Sequence, residues 1–191
     1  MLTIEEIYTH HCSVNTAISV HLPRLLRLAD GLDLAVEFGV KRGASSSALL
    51  CGAARVMSFD IASTPEAREL KRIAGEKWDY RIADSRTADV PPCDLLFIDS
   101  QHDYEQCAAE LEAHADKVRH FLAFHDTITF GSVGAAGESG EHKWQYKRGQ
   151  SCPAEALGIR PAIDELMVRD PSWRIMRHYP DSHGLLILRR P

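Results

Sequence analysis

With 191 residues, 45% of them hydrophobic and 26% charged, the chain has the composition of a globular protein and enough length for one domain over residues 1–191 with a proper core. Its formal net charge of −5 provides no broad positive field for a phosphate backbone, which argues against nucleic acid as a partner, and no apolar run reaches membrane-spanning length. Five scattered cysteines without a CxxC pair, and an N-terminus lacking a basic segment followed by an apolar one, fit reduced thiols and a cytoplasmic location.

Residues 1–30 read as an N-terminal helical segment, with Ile18, Leu22, Leu25, Leu26 and Leu28 recurring at helical spacing between Ala17 and Ala29. "LDLAVEFGV" follows as a short apolar strand that runs into glycine, and "SSSALLCGAA" as a helix with serines at its start. The alternation continues with the strand "RVMSFDI", the charged helix "PEARELKRIAGEKW" and the short strand "DYRIAD". "CDLLFID" is the most apolar strand, "YEQCAAELEAHADKV" a helix and "RHFLAFHD" another strand. Regular alternation of strand and helix predicts parallel strands joined by crossover helices. The glycine-rich stretch 128–157 has no clear period and is too long for a plain connection, which predicts a lid or substrate loop. Within it Lys143, Trp144, Tyr146, Lys147 and Arg148 form an aromatic and basic cluster. Beyond it, "GIRPAIDELMVRD" reads as a helix and "WRIMRHYPDSHGLLILRR" as a terminal hairpin.

The predicted strands end in polar residues: Glu37 with Gly39, Asp60, Asp84, Asp99 with Ser100, Gln101 and His102, and His125 with Asp126. Open parallel sheets bind ligands outside the carboxyl ends of their strands, so these residues are candidates for one cleft. Glu37-x-Gly39-x-x-x-Gly43-x-Ser45 is neither the dinucleotide GxGxxG nor a phosphate loop with its Lys-Ser/Thr, but a glycine turn entering a helix still offers close backbone approach and free N–H groups. Asp60 follows about twenty residues later, where an acid can accept both hydroxyls of a ribose. Taken singly, each acid could equally be a helix cap or a solvated strand end.

The series "VEFGVKRGASSSALL", "VMSFDI", "YRIADS", "DLLFIDSQHDYE" and "FLAFHDT" resembles, in order and spacing, the class I S-adenosylmethionine-dependent methyltransferases. More narrowly, it is similar to the branch that holds metal-assisted small-molecule O-methyltransferases and the cephalosporin hydroxylase-like and macrocin O-methyltransferase-like proteins. The resemblance covers about residues 30–130. It implies a Rossmann-like, doubly wound α/β fold with a seven-stranded, mostly parallel sheet ending in an antiparallel C-terminal hairpin. It also implies that Glu37 and Gly39 line the methionine and ribose of S-adenosylmethionine, that Gly43 and Ser45 form the loop and helix start, that Asp60 holds the ribose diol, and that Asp84 and Ser85 flank adenine. Asp99 would touch the cofactor and, with His125 and Asp126, hold a divalent ion. Oxygen ligands suit magnesium, whereas an imidazole at His125 favours manganese, iron or zinc more than a pure carboxylate site would.

Related proteins often read Asp-Gly-Asp-His where this chain has Asp99-Ser100-Gln101-His102, so one acid near the ion is missing. Histidine ordinarily titrates near pH 6.5, which suits proton removal, and the resemblance puts a catalytic base at His102 beside a catalytic Asp99. The expected activity is methylation of a small-molecule hydroxyl with divalent-metal assistance, by a chain that can form a homodimer. A metal-dependent hydroxylase on the same fold, or a cofactor-binding module without turnover, are the alternatives.

Overall fold

The computed structural model describes residues 2–135 and 157–191. The lid segment is therefore described only at its two ends, and its aromatic and basic cluster, Lys143 to Arg148, lies outside the described residues.

Seven strands form one sheet: β1 (Leu34–Phe38), β2 (Arg55–Asp60), β3 (Trp78–Ile82), β4 (Cys93–Ile98), β5 (Val118–His125), β6 (Arg174–Tyr179) and β7 (Leu185–Arg189). Their order is β3-β2-β1-β4-β5-β7-β6. The first five pair in parallel, and β7 enters antiparallel between β5 and β6. This is the Rossmann-like, doubly wound fold, with the antiparallel hairpin at the chain's end. Among the described residues, six helices flank the sheet: α1 (Ile4–Ser13), α2 (Leu22–Ala29), α3 (Ala44–Gly52), α4 (Pro65–Ala74), α5 (Tyr104–His114) and α6 (Ile159–Arg169). None of the described helices is long and apolar enough to cross a membrane.

Strand alternation divides the core in two. On β1, Leu34, Val36 and Phe38 join Cys107 and Leu111 of α5 and Ile159 to Leu166 of α6. Ala35, on the opposite face, packs with Leu22 and Leu25 of α2, Leu49 and Leu50 of α3, and Leu70 of α4. Because both faces are covered, β4 is buried along its whole length, as expected of a central parallel strand.

The N-terminal segment departs from its expected outline. A separate helix α1 precedes α2, and its start is written in the sequence: Thr3 accepts the N–H of Glu6 while the Glu6 carboxylate accepts the N–H of Thr3, a capping box. The amphipathic helix expected from Ala17 begins at Leu22 instead, after a 3-10 turn over Ser19–His21, with Pro23 in its first turn, where the missing N–H costs nothing.

At the amino ends of the strands, the buried Asp94 ties three of them together. Its Oδ2 accepts the N–H groups of Asp33 and Leu34, and its Oδ1 accepts Arg119 Nε at 2.7 Å. At the carboxyl ends the ladder continues into the loops: Gly39 donates its N–H to Phe59 O, and Asp99 donates to Phe38 O. Gly39 has φ +88°, and a Cβ there would lie 2.1 Å from the Asp99 carbonyl oxygen. Gly39→Ala therefore combines left-handed strain with a backbone clash, and we expect a loss of roughly 2–5 kcal/mol in urea denaturation. An unchanged midpoint would show that the two loops are not held this closely.

Candidate active site

Glu37 is fully buried on the α3 side of β1. Its Oε2 accepts the hydroxyls of Ser46 (2.6 Å) and Ser58 (2.7 Å), and Trp78 Nε1 donates to the Ser58 oxygen in turn. Oε1 is buried without a hydrogen-bond partner. Burial pushes this carboxyl up to about 7, aided by the Asp99 charge and opposed by the serine hydroxyls. The side chain is thus sealed beneath the start of α3, next to the cleft rather than open to it.

The glycine loop is shaped by Asp60. Its Oδ2 accepts the N–H groups of Val40 and Lys41, both at 2.8 Å, and its Oδ1 accepts Ala62 N–H at 3.0 Å. Lys41 and Gly43, within this loop, have positive φ. A carboxylate has about four acceptor sites, so Asp60 keeps about one free while it holds the loop. Gly43 opens α3, and Ser45 lies buried in the first turn of that helix.

Asp84 stands apart. It lies two residues beyond the end of β3, and Arg86 binds it bidentately, at 2.7 Å for the shorter contact. That guanidinium holds its carboxyl below the usual carboxylate range. Ser85 points inward instead and donates to Glu110 Oε1 of α5.

Four side chains from β4, β5 and the loops after them converge at the centre of the rim. One ligand atom from each of Asp99, His102, His125 and Asp126 lies within 4.8 Å of every other. Asp99 Oδ1 is 3.0 Å from His102 Nε2 and 3.1 Å from His125 Nδ1. Asp126 Oδ2 is 3.2 Å and 3.4 Å from the same two nitrogens. Burial acts to deprotonate His125, but Asp126 and Asp99 outweigh it and raise the imidazole to about 10. For Asp99, burial works against ionisation, yet His102 and His125 bring the acid down to about 2. Without an added cation, then, an imidazolium balances the partly buried Asp99 carboxylate. Two carboxylates and two imidazoles at this spacing also match the donor set and size of a divalent-ion site, and the buried His125 Nε2 has no hydrogen-bond partner.

Several residues around this cluster escaped the sequence analysis. The Phe130 ring, next to the turn after β5, stacks on His102 with centroids 5.2 Å apart. The two ends of segment 128–157 meet where Val133 bridges Leu157, and Ala135 N–H donates to His102 O. His183, in the β6–β7 turn, places Nδ1 3.1 Å from Asp126 Oδ1. His21 is fully buried, accepts from Arg24 on Nδ1, donates from Nε2 to the carbonyls of Asp181 and Ser182, and meets the His125 ring edge-on. No local pattern announces His21 or His183, since each reaches the site through the hairpin. Glu110 did leave a signal: Gln106, Glu110 and His114 recur every fourth residue beside Cys107 and Leu111, which puts an acid next to the core face of the helix.

No protein-family model matches the chain, and no curated protein matches it. Solved structures do. The O-methyltransferase from Bacillus cereus in complex with S-adenosylhomocysteine superposes with a TM-score of 0.64 at 20% identity, covering 98% of this chain and 90% of that one. The N-methyltransferase NodS from Bradyrhizobium japonicum, also with S-adenosylhomocysteine, gives 0.62 at 14% identity over 97% and 98% of the two chains. The magnesium protoporphyrin IX methyltransferase from Synechocystis PCC 6803 gives 0.61 at 15% identity over 98% and 94%. The fold of this chain is that of the class I S-adenosylmethionine-dependent methyltransferases.

The buried Glu37 has a consequence for stability. Its folded-state pKa, about 7 against an ordinary 4.5, means that the folded protein holds a proton the unfolded chain has released. This contribution is complete below pH 4.5 and declines as pH rises towards 7. Glu37→Gln should abolish the decline, so the variant gains on the parent by a few kcal/mol between pH 5 and pH 8 in chemical denaturation. Parallel pH profiles would show that Glu37 is ionised in the fold.

Proposed function

We propose that the protein transfers the methyl group of S-adenosylmethionine to a hydroxyl oxygen of a small molecule, with a divalent ion at the rim cluster. The observation that carries this reading is the convergence of Asp99, His102, His125 and Asp126 beside a glycine loop laced to Asp60. A cofactor site and a site able to deprotonate an acceptor thus share one cleft. In support, all three of the superposed structures hold S-adenosylhomocysteine, the product such a transfer leaves. Neighbours that methylate nitrogen keep an amine acceptor as an outcome of the test.

Asp60 and the backbone of residues 39–43 bind the nucleoside and amino-acid parts of the cofactor, and Asp99 stands at its reacting end. The sulfonium is already a good leaving group, so alignment is the main task; holding reactants in line can supply about 7–11 kcal/mol. Asp99, His125 and Asp126 would hold the ion, which when bound lowers the pKa of the acceptor hydroxyl. His102 Nε2 takes the hydroxyl proton as the oxygen attacks the methyl carbon. Phe130, stacked on His102, fixes that ring and screens one of its faces from water.

Incubation with S-adenosylmethionine, manganese and a panel of small phenols, sugars and amines should yield S-adenosylhomocysteine and a methylated product. Excess EDTA should suppress turnover and added manganese or magnesium restore it. His102→Ala should lower the single-turnover rate by about 10²–10⁴-fold, the usual contribution of a positioned base, and leave cofactor affinity within about threefold. Absence of cofactor binding in calorimetry would remove the methyltransferase reading. Full activity in EDTA would remove the ion alone. The two-histidine, two-carboxylate set would also suit iron, and oxygen consumption without S-adenosylhomocysteine would favour a hydroxylase.

A further inference from the structure

The turn between β6 and β7 holds an imidazole in a conformation that histidine adopts at a cost. His183 has φ +73° and the preceding Ser182 φ +45°, left-handed values that glycine reaches without strain. The turn has no room to relax, since a Cβ on the next residue, Gly184, would lie 2.7 Å from Thr127 Oγ1 and from Ile128 Cγ1. Arg24 grips Asp181 bidentately at 2.8 and 2.9 Å, and His21 Nε2 lies 3.0 and 3.1 Å from the Asp181 and Ser182 carbonyls. Ser182 Oγ donates to Ala17 O at 2.9 Å, while Ile128 and Thr129 N–H both donate to His183 O. The N-terminal segment and the loop after β5 thus fix the turn around His183 from two sides. Strain that its surroundings over-determine in this way collects at functional sites.

What the turn presents is the His183 ring. Its side chain is 47% exposed, and its Nδ1 lies 3.1 Å from Oδ1 of Asp126, whose side chain is 9% exposed. The other carboxylate oxygen, Oδ2, faces His102 Nε2 at 3.2 Å and His125 Nδ1 at 3.4 Å. The carboxylate is therefore divided, with Oδ2 in the charged cluster and Oδ1 against His183. The Asp126 backbone is fixed by its carbonyl, which accepts Phe130 N–H at 2.8 Å. Its last side-chain torsion is intrinsically soft, however, because rotation about a bond to a planar carboxylate has only broad minima. A ring nitrogen set against Oδ1 opposes that rotation.

We propose that His183 is a positioning residue that holds Asp126 Oδ1 and so keeps Oδ2 turned to the ion bound by the cluster. The inference rests on the divalent-ion reading above and brings into that site a residue from outside β4 and β5. The donor atoms that lie mutually within 4.8 Å come from Asp99, His102, His125 and Asp126 and not from His183, so the ring acts through Asp126 rather than on the ion. Loss of an outer partner that orients a metal ligand typically costs about 10–100-fold in metal affinity.

The test is calorimetry with Co²⁺ on the full chain, together with the visible absorption of the bound ion, which reports its coordination geometry. Glycine and asparagine both accept the left-handed conformation, so the two variants separate strain from positioning. His183→Gly relieves the strain but removes the contact, and should weaken Co²⁺ binding by about 10–100-fold and change the absorption. His183→Asn restores a donor nitrogen at about the place of Nδ1 and should bind within about threefold of the parent with its spectrum. Should the glycine variant fail to fold, His183→Ser, too short to reach Asp126, takes its place. Parent-like affinity or an unchanged spectrum in the variant that lacks the contact overturns the inference, as does an asparagine variant no better than it. Each of these outcomes leaves the ion reading standing. Asp126→Ala should lose the ion; if it binds Co²⁺ as the parent does, the ion lies elsewhere and the inference falls. A parent that binds no Co²⁺ removes the ion from the proposed function, and this inference with it.

Discussion

The ends of β1 and β4 approach so closely that no methyl group fits between Gly39 and the Asp99 carbonyl, and this contact positions both halves of the cleft. It lets β1 turn immediately into the loop that Asp60 gathers by accepting the Val40 and Lys41 N–H groups. It also holds the backbone from which the Asp99 side chain reaches His102 and His125. The glycine loop and the charged cluster are therefore parts of one rigid corner, supported from below by the Glu37, Ser58 and Trp78 network. Short, preorganised contacts of this kind let a site hold reactants in line without ordering them during the reaction.

Charge is distributed unevenly across that corner. Glu37 and Glu110 are buried acids whose carboxyls burial pushes upward, each with one oxygen satisfied by several donors and the other unpartnered. Asp99 is drawn the other way by the imidazoles it touches. The difference lies in the partners: neutral hydroxyls and amides stabilise a buried carboxylate less than charged groups do. The acids on the two helical faces of the sheet thus orient hydroxyls, whereas the central one keeps its negative charge beside His102 and His125.

Backbone strain collects at the same place. Asp126, Ser182 and His183 all have positive φ, although none is glycine. Ile128 and Thr129 N–H groups both donate to His183 O, and His21 Nε2 donates to the carbonyls of Asp181 and Ser182. These bonds over-determine the two turns and keep them in conformations that cost about 1–3 kcal/mol each. The effect is to bring the hairpin against β5, so that His183 faces Asp126 and His21 closes off the far side of His125.

The alternation of apolar runs and helical periods determined the seven strands, most of the helices and the terminal hairpin, because burial on both faces of a parallel sheet leaves its mark on every strand separately. The polar strand ends were legible for the same reason: Asp60, Asp99 and His125 interrupt or end apolar runs, and each lies at the cleft. The reach of each side chain was not legible. Asp84 and Asp60 both follow apolar strands, yet Asp84 turns out to Arg86 while Asp60 turns in to the glycine loop, a choice made by neighbours outside their own strands. Glu110, His21 and His183 join the site through contacts with residues 25, 160 and 57 positions away. Local sequence carries the periods that make strands and helices, but the pairing of donors with acceptors across such separations exists only once the sheet has closed and brought its loops together.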